Sequence, residues 1–227
     1  ASFRALSALA DPGDQEALIG LLNDDKNSVF VSDIQSALAS AAGKIIDPEK
    51  RSSAVLKAME ATELRAKLIP VLARTGGREA LFLVLKEFEN GNPEMKSVCF
   101  KAITSWNDFS ASSALYEICA SGNKSYEEQA FNGYIKLLKA VKLPDEQELL
   151  LYRKIMPFAL SPDRKNMILT ELGSLKTYTT LFFVAGYLED PATASTAAKS
   201  VMYIALPPAN SKNGMYGNNV REILSKA

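Results

Sequence analysis

Apolar residues recur along the chain at spacings of three and four, as in Ala80, Leu81, Val84, Leu85 and Phe88, or Phe131, Tyr134, Ile135 and Leu138. Such spacing gathers them on one side of an α-helix. The pattern is punctuated by a short polar residue followed by proline, at Asp11-Pro12, Asp47-Pro48, Asn92-Pro93, Ser161-Pro162 and Asp190-Pro191. The polar side chain can accept from the free amides of a helix start. Proline at the first helical position loses no hydrogen bond and already holds the right φ. Helix ends are predicted at Gly43, Gly76-Gly77, Gly91 and Gly122, where a residue free to take φ > 0 closes the last turn.

These marks predict helices at about 2–10, 12–22, 28–42, 48–60, 62–74, 78–90, 93–106, 110–120, 125–141, 145–160, 162–173, 176–189, 191–205 and 219–226. Val29 to Val31 and Leu181 to Val184 have strand propensity, but their caps and spacing favour helix. Helices of about 12 residues are marginal alone in water, so each must bury its stripe against its sequence neighbours. The second helix of each predicted pair carries a similar motif: Glu16-Ala17-Leu18-Ile19, Ser53-Ala54-Val55-Leu56, Glu79-Ala80-Leu81-Phe82, Ser113-Ala114-Leu115-Tyr116, Glu148-Leu149-Leu150-Leu151 and Thr180-Leu181-Phe182-Phe183. With Leu18, Val55, Leu81, Leu115, Leu150 and Leu181 as markers, the steps are 37, 26, 34, 35 and 31, a ragged repeat of helix pairs.

The segment Ile69-Pro70-Val71-Leu72-Ala73-Arg74-Thr75-Gly76-Gly77-Arg78-Glu79-Ala80-Leu81, with Pro70 inside a first helix, resembles HEAT repeats, in particular the short bacterial ones of the phycobilisome-lyase type. The resemblance covers the whole chain, as a pattern of small and apolar residues that speaks to fold more than to function. It implies an all-α fold, a right-handed α-α superhelix or armadillo-like solenoid of about six to seven helix pairs, whose concave side, lined by the second helices, grips a partner. The array is expected over residues 1–206. Residues 207–227 read as an irregular loop and a terminal helix leading to a further domain. The uncapped first and last helices suggest a piece of a longer polypeptide, and resemblance to arrays in multidomain bacterial envelope proteins implies a periplasmic or envelope location.

Composition narrows the function. The 227 residues are 47% hydrophobic, enough for a continuous core. With 26 basic and 26 acidic residues the net charge is zero, so no overall field draws the chain to nucleic acid or to an anionic membrane. The most apolar run, Leu181 to Leu188, falls well short of the roughly 20 residues that span a bilayer. Histidine is absent, which removes the commonest general base near neutral pH and the commonest nitrogen ligand for zinc. The two cysteines, Cys99 and Cys119, sit in consecutive predicted helices and read as buried free thiols.

Charge is unevenly spread. Six acidic and two basic residues between Ala1 and Asp33 give −4, and eight basic and four acidic residues between Lys44 and Arg78 give +4. A charged partner would meet Lys50, Arg51, Lys57, Arg74 and Arg78; the competing reading is two solvated faces that partly neutralise each other. The carboxylate groups Glu127 with Glu128, and Asp145 with Glu146 and Glu148, lie in first turns and complement the helix dipole, so none is assigned to catalysis. Trp106, at a predicted turn, is either a stacking platform or a plug at the rim of a helix pair. Phe183 and Tyr187 form a second apolar stripe beside Leu181, Val184, Ala185 and Leu188, and either pack against the helix after Pro191 or make an adhesive patch. The irregular segment 207–218 reads as a linker, or as a binding loop bearing Lys212, Met215 and Tyr216. Asn219 and Glu222 have capping-box spacing for the last helix.

The expectation is a non-catalytic scaffold that binds a protein or an adjoining domain of the same polypeptide, with no cofactor, metal, nucleic acid or membrane insertion. Its contacts are expected among Lys57, Arg74, Arg78, Trp106, Phe183, Tyr187 and Tyr216. The alternatives are an accessory or glycan-binding module of a carbohydrate-active protein, in which Trp106 and exposed tyrosines would cluster, and a bilin-lyase-like enzyme with a chromophore pocket.

Overall fold

A computed structural model describes residues 3–60, 62–207 and 213–227. Among them the regular structure is wholly helical: fourteen α-helices and six short 3-10 turns, with no strand. The α-helices are α1 (Phe3–Leu9), α2 (Gln15–Asn23), α3 (Val31–Gly43), α4 (Ser53–Ala58), α5 (Arg65–Thr75), α6 (Arg78–Asn90), α7 (Pro93–Thr104), α8 (Ser112–Ala120), α9 (Lys124–Ala140), α10 (Asp145–Ile155), α11 (Pro162–Leu172), α12 (Tyr178–Ala185), α13 (Ala194–Ala205) and α14 (Asn218–Lys226). Of the two places with strand propensity, Val29 to Val31 spans the end of a 3-10 turn and the start of α3, and Leu181 to Val184 lies within α12, so neither forms a strand.

Helices are entered either directly or through a short turn. Asn92, Ser161 and Thr177 accept from the amide three residues on (Met95, Arg164 and Thr180), and α7, α11 and α12 begin directly. Asp24, Asp47 and Asp108 accept from the amide two residues on (Lys26, Glu49 and Ser110), and a 3-10 turn precedes the α-helix. Asp190 likewise accepts from the Ala192 amide, and a turn separates it from α13. The expected helix starts at Pro48 and Pro191 therefore move to Ser53 and Ala194. Positive φ closes α5 at Gly76 (73°) and Gly77 (96°). By contrast Gly91 has φ −71°, and glycine is required there because a Cβ would meet the Glu87 carbonyl and the Met95 side chain. The expected capping box at Asn219 does not form, since α14 starts one residue earlier with Gly217 (φ 121°) as its cap.

The chain divides into two compact units, Ala1–Ala140 and Val141–Ala227. In the first, α1 packs on α3, α3 on α5, α5 on α7 and α7 on α9, while α2, α6 and α8 pack on α3, α7 and α9 respectively. The odd-numbered helices of this unit therefore form a row of successive contacts, here called the inner row, against which α2, α6 and α8 each pack. The inner row is correspondingly the more deeply buried: Ile34, Ala37, Leu38, Ala41 and Ala42 of α3 and Leu68, Ile69, Val71 and Leu72 of α5 have no exposed surface. Polar side chains cross between successive pairs. Lys67 donates to the Leu22 carbonyl (2.9 Å), and Gln35 donates to the Lys67 carbonyl (2.6 Å).

In the second unit α13 is central, packing on α11, α12 and α14. The terminal helix, set apart with residues 207–227 by its sequence, thus belongs to this unit through Val220 and Ile223, both buried. The Met215 amide donates to the Ala205 carbonyl (2.8 Å), and Gly214 leaves no room for a Cβ against Pro207. Cys99 and Cys119 are both buried and not joined in a disulfide, and burial, with Glu87 adding to it, pushes the Cys99 thiol up to about 11.

Candidate partner-binding surface

The repeated motif of the second helices divides into a core position and a surface position. Leu18, Val55, Leu81, Leu115 and Leu181 are buried as their marker role requires, but in α10 the buried residue is Leu149, at 1% exposure, and Leu150 is 60% exposed. Moving that marker to Leu149 makes the steps 37, 26, 34, 34 and 32, so the last three become more regular. The residue after each marker is then Ile19, Leu56, Phe82, Tyr116, Leu150 and Phe182, apolar or aromatic in all six helices. Phe82 is 71% exposed, Leu150 60% and Phe182 47%, while Ile19, Leu56 and Tyr116 are half-buried. Successive members meet between α4 and α6, where Leu56 and Phe82 line one cleft of about 520 Å³ together with Lys57, Lys86, Glu60 and Glu79. Opposite charges balance in that cleft.

A second cleft, of about 620 Å³, lies within the other unit and brings together α10, the turn Met156–Phe158, α11 and α12. Phe183, on α12, and Tyr187, in the turn that follows it, have ring centroids 5.5 Å apart at 67°, an edge-to-face pair. Arg153, at the end of α10, lies 5.4 Å above the Phe183 ring centroid. Lys165 of α11 completes the cation set, held at 3.9 Å from Asp190, and Met156, Pro157, Ala159 and Leu160 supply the apolar wall. Burial raises the Tyr187 hydroxyl above its ordinary value, so it stays protonated throughout the neutral range.

No family model, curated protein or solved structure matches the chain.

The expected contact residues fall in different places. Lys57 lines the α4–α6 cleft, and Phe183 and Tyr187 line the α10–α12 cleft. Arg74 is exposed but donates to Ser36 Oγ (2.7 Å), and Arg78 is exposed at the start of α6. Of the other expected basic contacts, Arg51 donates to the Ile45 carbonyl (2.9 Å) and Lys50 lies 3.7 Å from Asp47. Lys44 pairs with Asp11 at 2.9 Å and Lys67 approaches Asp25 at 3.9 Å, so the basic segment partly neutralises the acidic one. Trp106 must be removed from the contact set: at 1% exposure it is a core residue, and no ligand can stack on it. Tyr216 is exposed, with its backbone amide and carbonyl both near the Tyr178 hydroxyl (3.4 and 3.3 Å). Lys212 lies outside the described residues.

The carboxylates at helix starts make structural contacts. Asp145 accepts from the Lys176 amide (3.1 Å), and Glu146 accepts from the Thr179 hydroxyl (2.8 Å). Burial raises the Glu148 carboxyl, with Asp145 and Glu171 adding to it. Among the described residues no cluster of three or more His, Cys, Asp or Glu could hold a metal ion, and no helix is long and apolar enough to cross a membrane.

Composition gave no hint of Arg153 and Lys165. For Arg153 the signal was the repeat itself: Arg153 and Phe183 are separated by 30 residues, close to one step of 32 between Leu149 and Leu181, which sets side chains of consecutive second helices beside each other.

Proposed function

We propose that this chain is a non-catalytic scaffold of HEAT-like repeats, a right-handed α-α superhelix of about six to seven helix pairs, that holds a protein or an adjoining domain on its second helices. The recurrence of an apolar residue directly after the buried marker in all six second helices carries the reading. A single exposed apolar side chain is ordinary on any protein surface, and Tyr203 of α13 is one. Six apolar residues at one repeat position, three of them exposed and three half-buried, are different, because the marker beside each already enters the core.

The row of inner helices in the first unit supports the same reading, since in a stacked array each repeat contacts its neighbours and offers the equivalent face at each step. The buried Trp106 removes the platform on which the glycan-binding alternative depended. The test is display of random peptides on the intact chain and on the triple variant F82S/L150S/F182S. Peptides enriched on the parent and lost from an equally helical variant are expected. Equal enrichment on both, or none on either, overturns the proposal.

A further inference from the structure

The cleft on α10, α11 and α12 offers only side-chain donors. Arg153 makes no hydrogen bond or ion pair among the described residues, its guanidinium being held by the Phe183 ring alone. The Tyr187 hydroxyl is likewise without a hydrogen-bond partner there, and Lys165 has only the long contact to Asp190. No carboxylate is among the eight residues that line the cleft, whereas Glu89 and Glu117 line the cleft between α6 and α9, and Glu60 and Glu79 line the one between α4 and α6. The rest of the wall is apolar and open, with Leu160 largely exposed.

We propose that this cleft binds a peptide segment in which a carboxylate stands beside a large apolar side chain. The carboxylate lies across the Arg153 guanidinium and within reach of Lys165 and the Tyr187 hydroxyl, and the apolar side chain enters against Phe183, Pro157 and Leu160. Stacking on Phe183 holds the guanidinium plane while leaving its N–H edges available, the arrangement in which arginine takes a carboxylate through two parallel hydrogen bonds. A volume of about 620 Å³ suits one or two side chains of a peptide. The inference rests on the scaffold reading, and commits it to an acidic, apolar partner at this position.

Fluorescence polarisation on the intact chain tests it with four labelled peptides: alternating Asp-Leu, Asn-Leu, Lys-Leu and Asp-Gly. Asp-Leu is expected to bind about tenfold more tightly than Asn-Leu, and R153A is expected to remove that advantage, as is 0.5 M salt used as a probe at roughly 4 Å screening length. F183A is expected to weaken Asp-Leu and Asn-Leu alike, and both variants must retain the parent's helical circular dichroism. Equal binding of Asp-Leu and Asn-Leu, or an Asp-Leu advantage that survives R153A, overturns the proposal. If display-selected peptides still bind in an F82S-sensitive manner, the scaffold reading stands without it. Failure of every peptide to bind overturns both. Binding of decanoate with no peptide bound overturns the choice of a peptide as occupant.

Discussion

Asp108 accepts a hydrogen bond from the Gly77 amide at 2.9 Å, so the connection between α7 and α8 is fastened to the turn between α5 and α6. The same carboxylate accepts from the Ser110 amide (2.8 Å), and the adjacent Asn107 amide donates to the Ala73 carbonyl (2.9 Å). Gly76 makes room for this fastening, because a Cβ there would overlap the Asp108 carboxylate.

Two glycines separate space from backbone conformation. Gly76 and Gly122 have nearly equal φ, 73° and 70°, but a Cβ on Gly122 meets nothing within 4 Å. G122A should cost about 1 kcal/mol for left-handed strain alone. G76A should cost about 3 kcal/mol, strain plus displacement of the Asp108 carboxylate. Urea unfolding of both variants checks this, and in G76A/D108A part of the cost of G76A should disappear.

Acid should act on the same contact. Burial alone would raise the Asp108 carboxyl, but the nearby Ser110 hydroxyl and Trp106 indole N–H, together with hydrogen bonds donated by the Gly77 and Ser110 amides, outweigh it and hold the group below the usual carboxylate range. The Trp106 Nε1 and Ser110 Oγ contribute by proximity, since neither has settled into hydrogen-bond geometry. A folded value below the unfolded one, about 3.9, means that the stabilisation is complete above that pH and is lost as pH falls through the folded value. The stability gap between parent and D108N should therefore be level from about pH 8 to 5 and narrow below about pH 4. A gap that widens on acidification contradicts the assignment.

Adjacent leucines in α10 test the register. L149A removes a fully buried side chain and should cost about 2–4 kcal/mol, whereas L150A should change stability by less than about 0.5 kcal/mol. Thermal unfolding of the pair distinguishes them. Equal costs would mean that the surface position proposed to bind partners is part of the core.

What could be read from the sequence was local. The starts of α7 and α11 stand where Asn92-Pro93 and Ser161-Pro162 put them, because a cap and its amide lie within one turn. Whether the first turn after a cap is 3-10 or α is a choice between geometries that the same residue types permit, so the 3-10 entries to α2 and α4 were not legible. Leu149 and Leu150 are chemically identical, and only packing decides which one enters the core. Trp106 follows a helix end in sequence and is nevertheless enclosed, because the chain after it folds back over α5 through Asn107 and Asp108. The cations beside Phe183 lie on other helices, and their neighbourhood exists only once the pairs have stacked.

The surface positions should matter for binding without mattering for folding. F82S and F182S are each expected to keep the parent's unfolding midpoint within about 0.5 kcal/mol while weakening a display-selected peptide by about tenfold, as truncation at a contact centre does. Isothermal titration on the two variants checks both halves of the statement. A variant that loses stability and binding together would place these rings in the core.

The most direct test of the scaffold is chemical-shift mapping of such a peptide on the isotope-labelled chain. The account predicts that perturbed amides and side chains concentrate on the second helices, around Leu56 and Phe82 in the first unit and around Leu150, Arg153 and Phe182 in the second. Perturbations centred on the odd-numbered helices, around Arg74 of α5 in the first unit or Met202 of α13 in the second, with the second helices unchanged, would contradict it.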